Sequence, residues 1–139
     1  MSIQIDARGP RWSALITTIV LAIALVTENL WVITFQAVVF AIGAIRGPQF
    51  TPYAFVYKKL IKPRLKSEVT FEDARPPQFA QSVGLVFALV AVIASVLGAS
   101  GVFTVAVGFA LAAAFLNAAF NFCLGCQMYL LILRARTAK

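Results

Sequence analysis

The chain contains no histidine. That removes the side chain that titrates nearest neutrality and the commonest nitrogen ligand for metals, so the familiar acid–base and zinc repertoires are missing. Charge is scarce too: only 12% of the 139 residues are Asp, Glu, Lys or Arg, against roughly 25% in an average soluble domain. Cysteine occurs twice, at Cys123 and Cys126, so redox or sulfur chemistry has one place to occur. No small-residue cleavage site ends the first apolar run, and a second run follows at once. The N-terminal run therefore reads as a retained anchor, not a secretory signal.

Hydrophobicity fills the gap. At 61% hydrophobic residues and a mean hydropathy of +0.89, the chain is one domain built for a bilayer. Its net charge of +7 would suit nucleic acid only if the cations were interleaved with stacking aromatics. They fall instead in three clusters between apolar blocks: Arg8 and Arg11, Arg46 to Arg75, and Arg134 to Lys139. That is the distribution of cytoplasmic segments under the positive-inside rule.

From Trp12 to Ile45 the sequence is apolar apart from a few hydroxyls, Glu28, Asn29 and Gln36. One helix of that length would run roughly 50 Å against a hydrocarbon core of about 30 Å. Two spans with a turn at Glu28-Asn29 are expected. Arg46-Gly47-Pro48 stops the second, and Thr51-Pro52 looks like an N-cap with proline in the first helical turn. Tyr53, Val56, Tyr57 and Leu60 recur with helical spacing, so this segment is expected to lie in the interface, aromatic side down and Lys58, Lys59 and Lys62 toward headgroups. Residues 64–78 read as an exposed loop. In the third span Gly84, Ala88, Ala91, Ser95 and Gly98 form a small-residue stripe, and in the fourth Ala110, Ala114 and Ala118 do; such rows let helices approach closely.

A repeat organises these pieces. Asp6 to Trp12 is echoed by Asp73 to Phe79, and Phe50 to Tyr57 can be laid over Phe122 to Tyr129. The expected fold is all-α, with transmembrane helices near 12–28, 30–46, 79–97 and 102–121 and short interfacial helices near 51–62 and 123–134. They form two parallel helical-hairpin repeats, each followed by a short cytoplasmic interfacial helix, in a multi-pass protein of the cell membrane with both termini cytoplasmic. By analogy with the first repeat, the fourth span is expected to break near Asn121, placing the cysteines at a helix start.

The C-x-x-C spacing, which two random cysteines in this length would show about 1 time in 70, suits thiolate exchange, a disulfide or a soft metal ion. A helix N-terminus, Arg134 or loop lysines would favour the Cys123 thiolate; apolar burial would oppose it. A permanent structural disulfide is not expected on the cytoplasmic side. Simple packing of two small residues is the alternative. Met128 adds a thioether that makes Cu(I) conceivable, but a structural zinc site would need two chains. Asn117, Asn121 and Gln36 either hydrogen-bond between helices or bind a quinone or polar substrate. On an unbroken helix the asparagines would face away from the cysteines. Glu28 reads as a solvated turn residue, and Lys58 to Lys66 as a headgroup anchor.

Arg8-Gly9-Pro10, Pro52-Tyr53, Lys62-Pro63-Arg64, Pro77-Gln78-Phe79-Ala80-Gln81 and, most specifically, Phe122-Cys123-Leu124-Gly125-Cys126 with Tyr129 carry a family resemblance. The chain resembles small actinobacterial membrane proteins grouped as domain of unknown function 4395. Members of that family are often encoded near, or fused to, thioredoxin-like proteins and sulfurtransferases, which implies thiol or sulfur handling and carries over Cys123 and Cys126 alone. Relatives often have an acidic residue after the second cysteine; Gln127 stands there here, so no acid–base role is assigned to it. The expected function is a membrane thiol-redox or sulfur-relay protein with Cys123 exchanging, Cys126 resolving and a thioredoxin-like or sulfurtransferase partner. The alternatives are a structural subunit of a larger membrane complex or homo-oligomer, and a soft-metal binder. No cofactor is expected.

Overall fold

Two helical hairpins, each entered from a short strand, make the body of the protein. A computed structural model describes residues 4–6, 8–61, 63, 71–73, 75–120 and 122–137. Asn121, Lys62, Arg64 and Lys66, singled out from the sequence, lie outside the described residues.

Helix α1 (Arg8–Thr27) turns into α2 (Leu30–Ile45) through Glu28 and Asn29. Glu28 takes a left-handed φ of 50°. The Asn29 side-chain oxygen then accepts from the Trp31 N–H at 2.8 Å and the Val32 N–H at 3.4 Å, satisfying donors that a helix start leaves open. Helix α4 (Arg75–Leu97) turns into α5 (Ser100–Phe120) through Gly98, whose φ of +76° a glycine adopts freely. Helices α1, α4 and α5 are each long and apolar enough to cross a membrane; α2, at 16 residues, is a shorter apolar helix.

The all-α expectation needs one amendment. Residues Gln4–Asp6 (β1) and Phe71–Asp73 (β2) pair antiparallel, Ile5 opposite Glu72. Of the loop expected over 64–78, the described part is strand and then helix. The ribbon brings the starts of α1 and α4 to one end of the molecule, and every described Lys and Arg belongs to segments at that end. The opposite turns carry Glu28 as their only charge.

The hairpins interlock. The most extensive packing is α2 on α4 and α1 on α5, then α4 on α5, with α1 on α2 slighter. Alanine dominates the seam: Ala24, Ala37, Ala88, Ala91, Ala94 and Ala106 are all buried, with Leu21, Ile33, Phe40 and Phe103 between them. The third-span stripe therefore runs through Ala88, Ala91 and Ala94, while Gly98 is exposed in the turn. Outside the seam, Ile19, Trp31, Val38, Val86, Ile93 and Val105 point outward. An apolar exterior around an alanine-lined interior suits a lipid environment, where close backbone approach replaces the hydrophobic effect between helices.

After α2, a 3₁₀ turn over Pro48–Phe50 leads to α3 (Pro52–Val56), which widens into a π turn over Tyr57–Ile61. Thr51 caps α3, its Oγ1 accepting from the Ala54 N–H at 3.2 Å. The tyrosines do not face outward as the spacing suggested. Tyr53 and Tyr57 are buried in the protein, and Phe55, Val56 and Leu60 are exposed with Lys58 and Lys59. The reason is polar: fully buried Gln36 on α2 needs a partner, and the Tyr53 hydroxyl donates to its Oε1 at 2.6 Å. Burial pushes the Tyr53 phenol above its usual range, so it stays a donor.

Where the helices touch can be tested with two glycines. A Cβ at Gly84 would fall 2.6 Å from the ring of buried Phe40, whereas one at Gly108 would meet nothing within 4 Å. Gly84→Val is expected to destabilise the detergent-solubilised protein by about 1–3 kcal/mol, typical of overpacking, with Gly108→Val near neutral; thermal unfolding followed by size exclusion reads both. Equal effects would contradict this packing.

Candidate functional site at the Cys123–Cys126 pair

Helix α5 stops at Phe120, and a new helix, α6 (Leu124–Thr137), starts after Phe122 and Cys123. The stop has a supplied donor. Arg11 of α1 gives its Nε–H to the Ala118 carbonyl at 3.1 Å and an Nη2–H to the Ala119 carbonyl at 3.4 Å. The Phe122 N–H turns back to the Leu116 carbonyl at 3.1 Å. Terminal helix carbonyls thus find donors, and a cation sits at the negative end of the α5 dipole.

The new start is capped by sulfur. Cys123 precedes the first helical residue, and its Sγ accepts from the Cys126 N–H at 3.1 Å. The Gln127 N–H bonds the Cys123 carbonyl at 3.0 Å. This is the N-cap arrangement that a Ser or Thr oxygen usually makes, and Thr51 makes it at the start of α3. Cys123 and Cys126 are joined as a disulfide, with their Cα atoms 5.2 Å apart. The permanent structural disulfide that the sequence argued against would be a poor staple in this place. The bond closes one helical turn, ties no two elements together, and removes little freedom from the unfolded chain.

Helix α6 packs chiefly on α4. Gly125, between the cysteines, is buried, and a Cβ there would fall 2.5 Å from the Ala80 Cβ and 2.6 Å from its Cα. Tyr129 adds a tilted ring contact to Phe79, centroids 5.6 Å apart. The approach leaves a cavity of about 440 Å³ between α1, α4, α5 and the start of α6. Cys123 and Cys126, both partly buried, line it with Arg11, Thr17, Gln81 and Asn117. Phe40, Phe87 and Phe109 and a row of α5 alanines supply much of the apolar wall.

Several sequence-derived candidates are thereby brought together and others set apart. Because the helix breaks, Asn117 and the cysteine pair share one cavity instead of facing apart. Gln36 belongs to the Tyr53 contact, not to this site. Arg134 sits eight residues past Cys126, roughly 12 Å along α6; the cation at the cavity is Arg11. Met128 lines the cavity and is about half exposed. Among the described residues, no group of three or more His, Cys, Asp or Glu could hold a metal ion.

The sequence does not mark Arg11, Thr17, Gln81 or Gly125 as site residues. Arg11 reads as one of the loop charges. Gln81 and Gly125 left a faint signal: an amide one turn into an apolar span, and a glycine inside the cysteine motif. Gly125→Val is expected to lift α6 off α4 and to raise the maleimide labelling rate of the reduced cysteines several-fold. An unchanged rate would show that Gly125 does not hold the site closed.

No curated protein and no solved structure matches the chain. A family profile does match, over residues 5–134, and its family is described as a domain of unknown function. Those residues reach from the ribbon through the capped break and most of α6, so the chain belongs to the DUF4395 family.

Proposed function

We propose that this is a membrane-embedded thiol–disulfide exchange protein, a thiol-redox or sulfur-relay device acting from the cytoplasmic side. One observation carries the reading: both sulfurs, joined in a bond that braces nothing, line an open space at a helix N-terminus. An inert pair packed as small hydrophobes would be enclosed. Here Cys123 is the exchanging thiol, because the first-turn N–H groups of α6 and the helix dipole favour its thiolate. Cys126, one turn on, is the resolving thiol.

The exchange balances within the pair and its partner. The Cys123 thiolate attacks a disulfide sulfur of a thioredoxin-like or sulfurtransferase protein, forming a mixed disulfide and releasing a partner thiolate. Cys126, as thiolate, then attacks the Cys123 sulfur, forming Cys123–Cys126 and releasing the second partner thiolate. Run backwards, the same steps carry electrons from the partner into the membrane protein.

The reading includes four spans and a two-fold repeat. Although α2 is short, it returns the chain from the Glu28 turn to the basic end; in this reading that end and both termini are cytoplasmic, in keeping with the positive-inside rule. The same shift of 67 residues that carries Arg8, the first residue of α1, to Arg75, the first of α4, carries Ile5 to its own pairing partner Glu72. A two-fold axis through the ribbon requires that pairing. In both halves the second helix is followed by a short helix capped from its N-cap side chain, by Thr51 in one and Cys123 in the other.

Trapping in native membranes tests the exchange. Cys126→Ser should accumulate a mixed disulfide on Cys123 that is seen on non-reducing gels and lost with reductant, whereas Cys123→Ser should accumulate far less. Equal yields from both variants, or no adduct with either, would contradict the assigned roles.

A further inference from the structure

The cavity beside the cysteines is larger than thiol exchange with a protein partner requires. At about 440 Å³ it falls within the roughly 300–1,000 Å³ of small-molecule sites. Its lining is mostly apolar, with Phe40, Phe87 and Phe109 among alanines. The polar groups in the wall are the Arg11 guanidinium, which donates only and already gives two N–H groups to α5 carbonyls, and the Thr17 hydroxyl and the Gln81, Asn117 and Gln127 amides, which donate and accept. The Gln81 Oε1, an acceptor, is buried without a hydrogen-bond partner among the described residues, so it can receive an O–H such as that of a quinol. The Phe109 ring lies 6.1 Å from that of Phe87 and is 61% exposed on the outer face of the bundle. The cavity wall between α4 and α5 therefore reaches the surface that meets lipid.

From these features we infer that the cavity receives a lipid-soluble quinone, which takes up the two electrons of the reduced cysteine pair. A quinone is flat and apolar and carries two carbonyl acceptors, matching aromatic and alanine walls with N–H donors among them. Glutathione would bring two carboxylates and an ammonium to a wall in which Arg11 is the only cation among the described residues. The step balances: the two thiols lose two protons and two electrons and form the Cys123–Cys126 bond, while the quinone gains both at its carbonyl oxygens and leaves as quinol. Entry is from the bilayer, on the α4–α5 side where Phe109 reaches the surface. The inference rests on the thiol-exchange reading and names its electron acceptor.

The test uses the full chain in lipid nanodiscs, reduced, desalted and kept anaerobic. A fully ring-substituted quinone, decyl-ubiquinone, is added because it forms no thiol adduct. Thiols are counted by maleimide mass shift and the quinone by its absorbance. One quinone should be consumed per thiol pair lost. Ala114→Phe fills the cavity and should slow the reaction at least about tenfold. Asn117→Leu, which changes less volume, should raise the quinone concentration giving half-maximal rate. Ala112→Phe, on the exposed face of α5 outside the cavity, should change neither. Diamide, a water-soluble thiol oxidant, should oxidise all four proteins at similar rates. Oxidation by diamide but not by quinone would overturn the acceptor and leave the exchange reading standing. Failure of both oxidants would overturn the exchange reading too. Wild-type quinone rates in both Ala114→Phe and Asn117→Leu would show that the quinone reacts elsewhere.

Discussion

Ending a helix inside a bundle strands its last carbonyls, and the rest of this site depends on how Arg11 receives two of them. The guanidinium reaches from the first turn of α1 to the Ala118 and Ala119 carbonyls of α5. With those groups satisfied, α5 stops and α6 leaves at a new angle toward α4. Without that donor, continuing the helix would be the cheaper way to satisfy the same carbonyls in an apolar setting. On a continuous helix the cysteines and Asn117 would point to different sides. The side chain that ends α5 is also in the cavity wall, so one arginine shapes the site and gives it its cation.

Close approach does the remaining positioning. Alanines let α1, α2, α4 and α5 interlock, and Gly125 extends the same rule to α6 by lying against the Ala80 backbone. The two short helices diverge at matching places. At the start of α3, Tyr53 stands two residues after the capping Thr51 and runs into the bundle to meet Gln36. At the start of α6, Gly125 stands two residues after the capping Cys123. The first half closes its interior with a phenol ring. In the second half a cavity stays open beside two sulfurs.

Much of this was legible in the sequence. Apolar run length, the cation clusters, Glu28-Asn29 and Thr51-Pro52 are local signals, and they marked the helices and their caps. The echo of Asp6–Trp12 in Asp73–Phe79 marked two entries into the bundle, and the break ahead of Cys123 followed by analogy. The ribbon escaped because three-residue strands have no periodicity of their own and gain stability only by pairing across the chain. The tyrosines turn inward against the spacing, because helical spacing shows which residues share a face, not what that face meets; Gln36 decides it from another helix. Arg11 hides its role for a related reason. A cation before an apolar run looks like a loop charge, and its partners lie more than a hundred residues away. The cysteine motif is visible at once; its cavity is not, since five helices contribute to the walls.

The central claim is that Cys123 and Cys126 interconvert between dithiol and disulfide within an intact fold. It is tested most directly by equilibrating native membranes across a series of dithiothreitol buffers of fixed potential, quenching with acid and counting free thiols by maleimide mass shift. The account predicts one reversible two-electron transition, superimposable from the oxidised and reduced sides, with size-exclusion behaviour unchanged across it. Cysteines that hold one state at every potential, or that change state only as the protein unfolds, would contradict it.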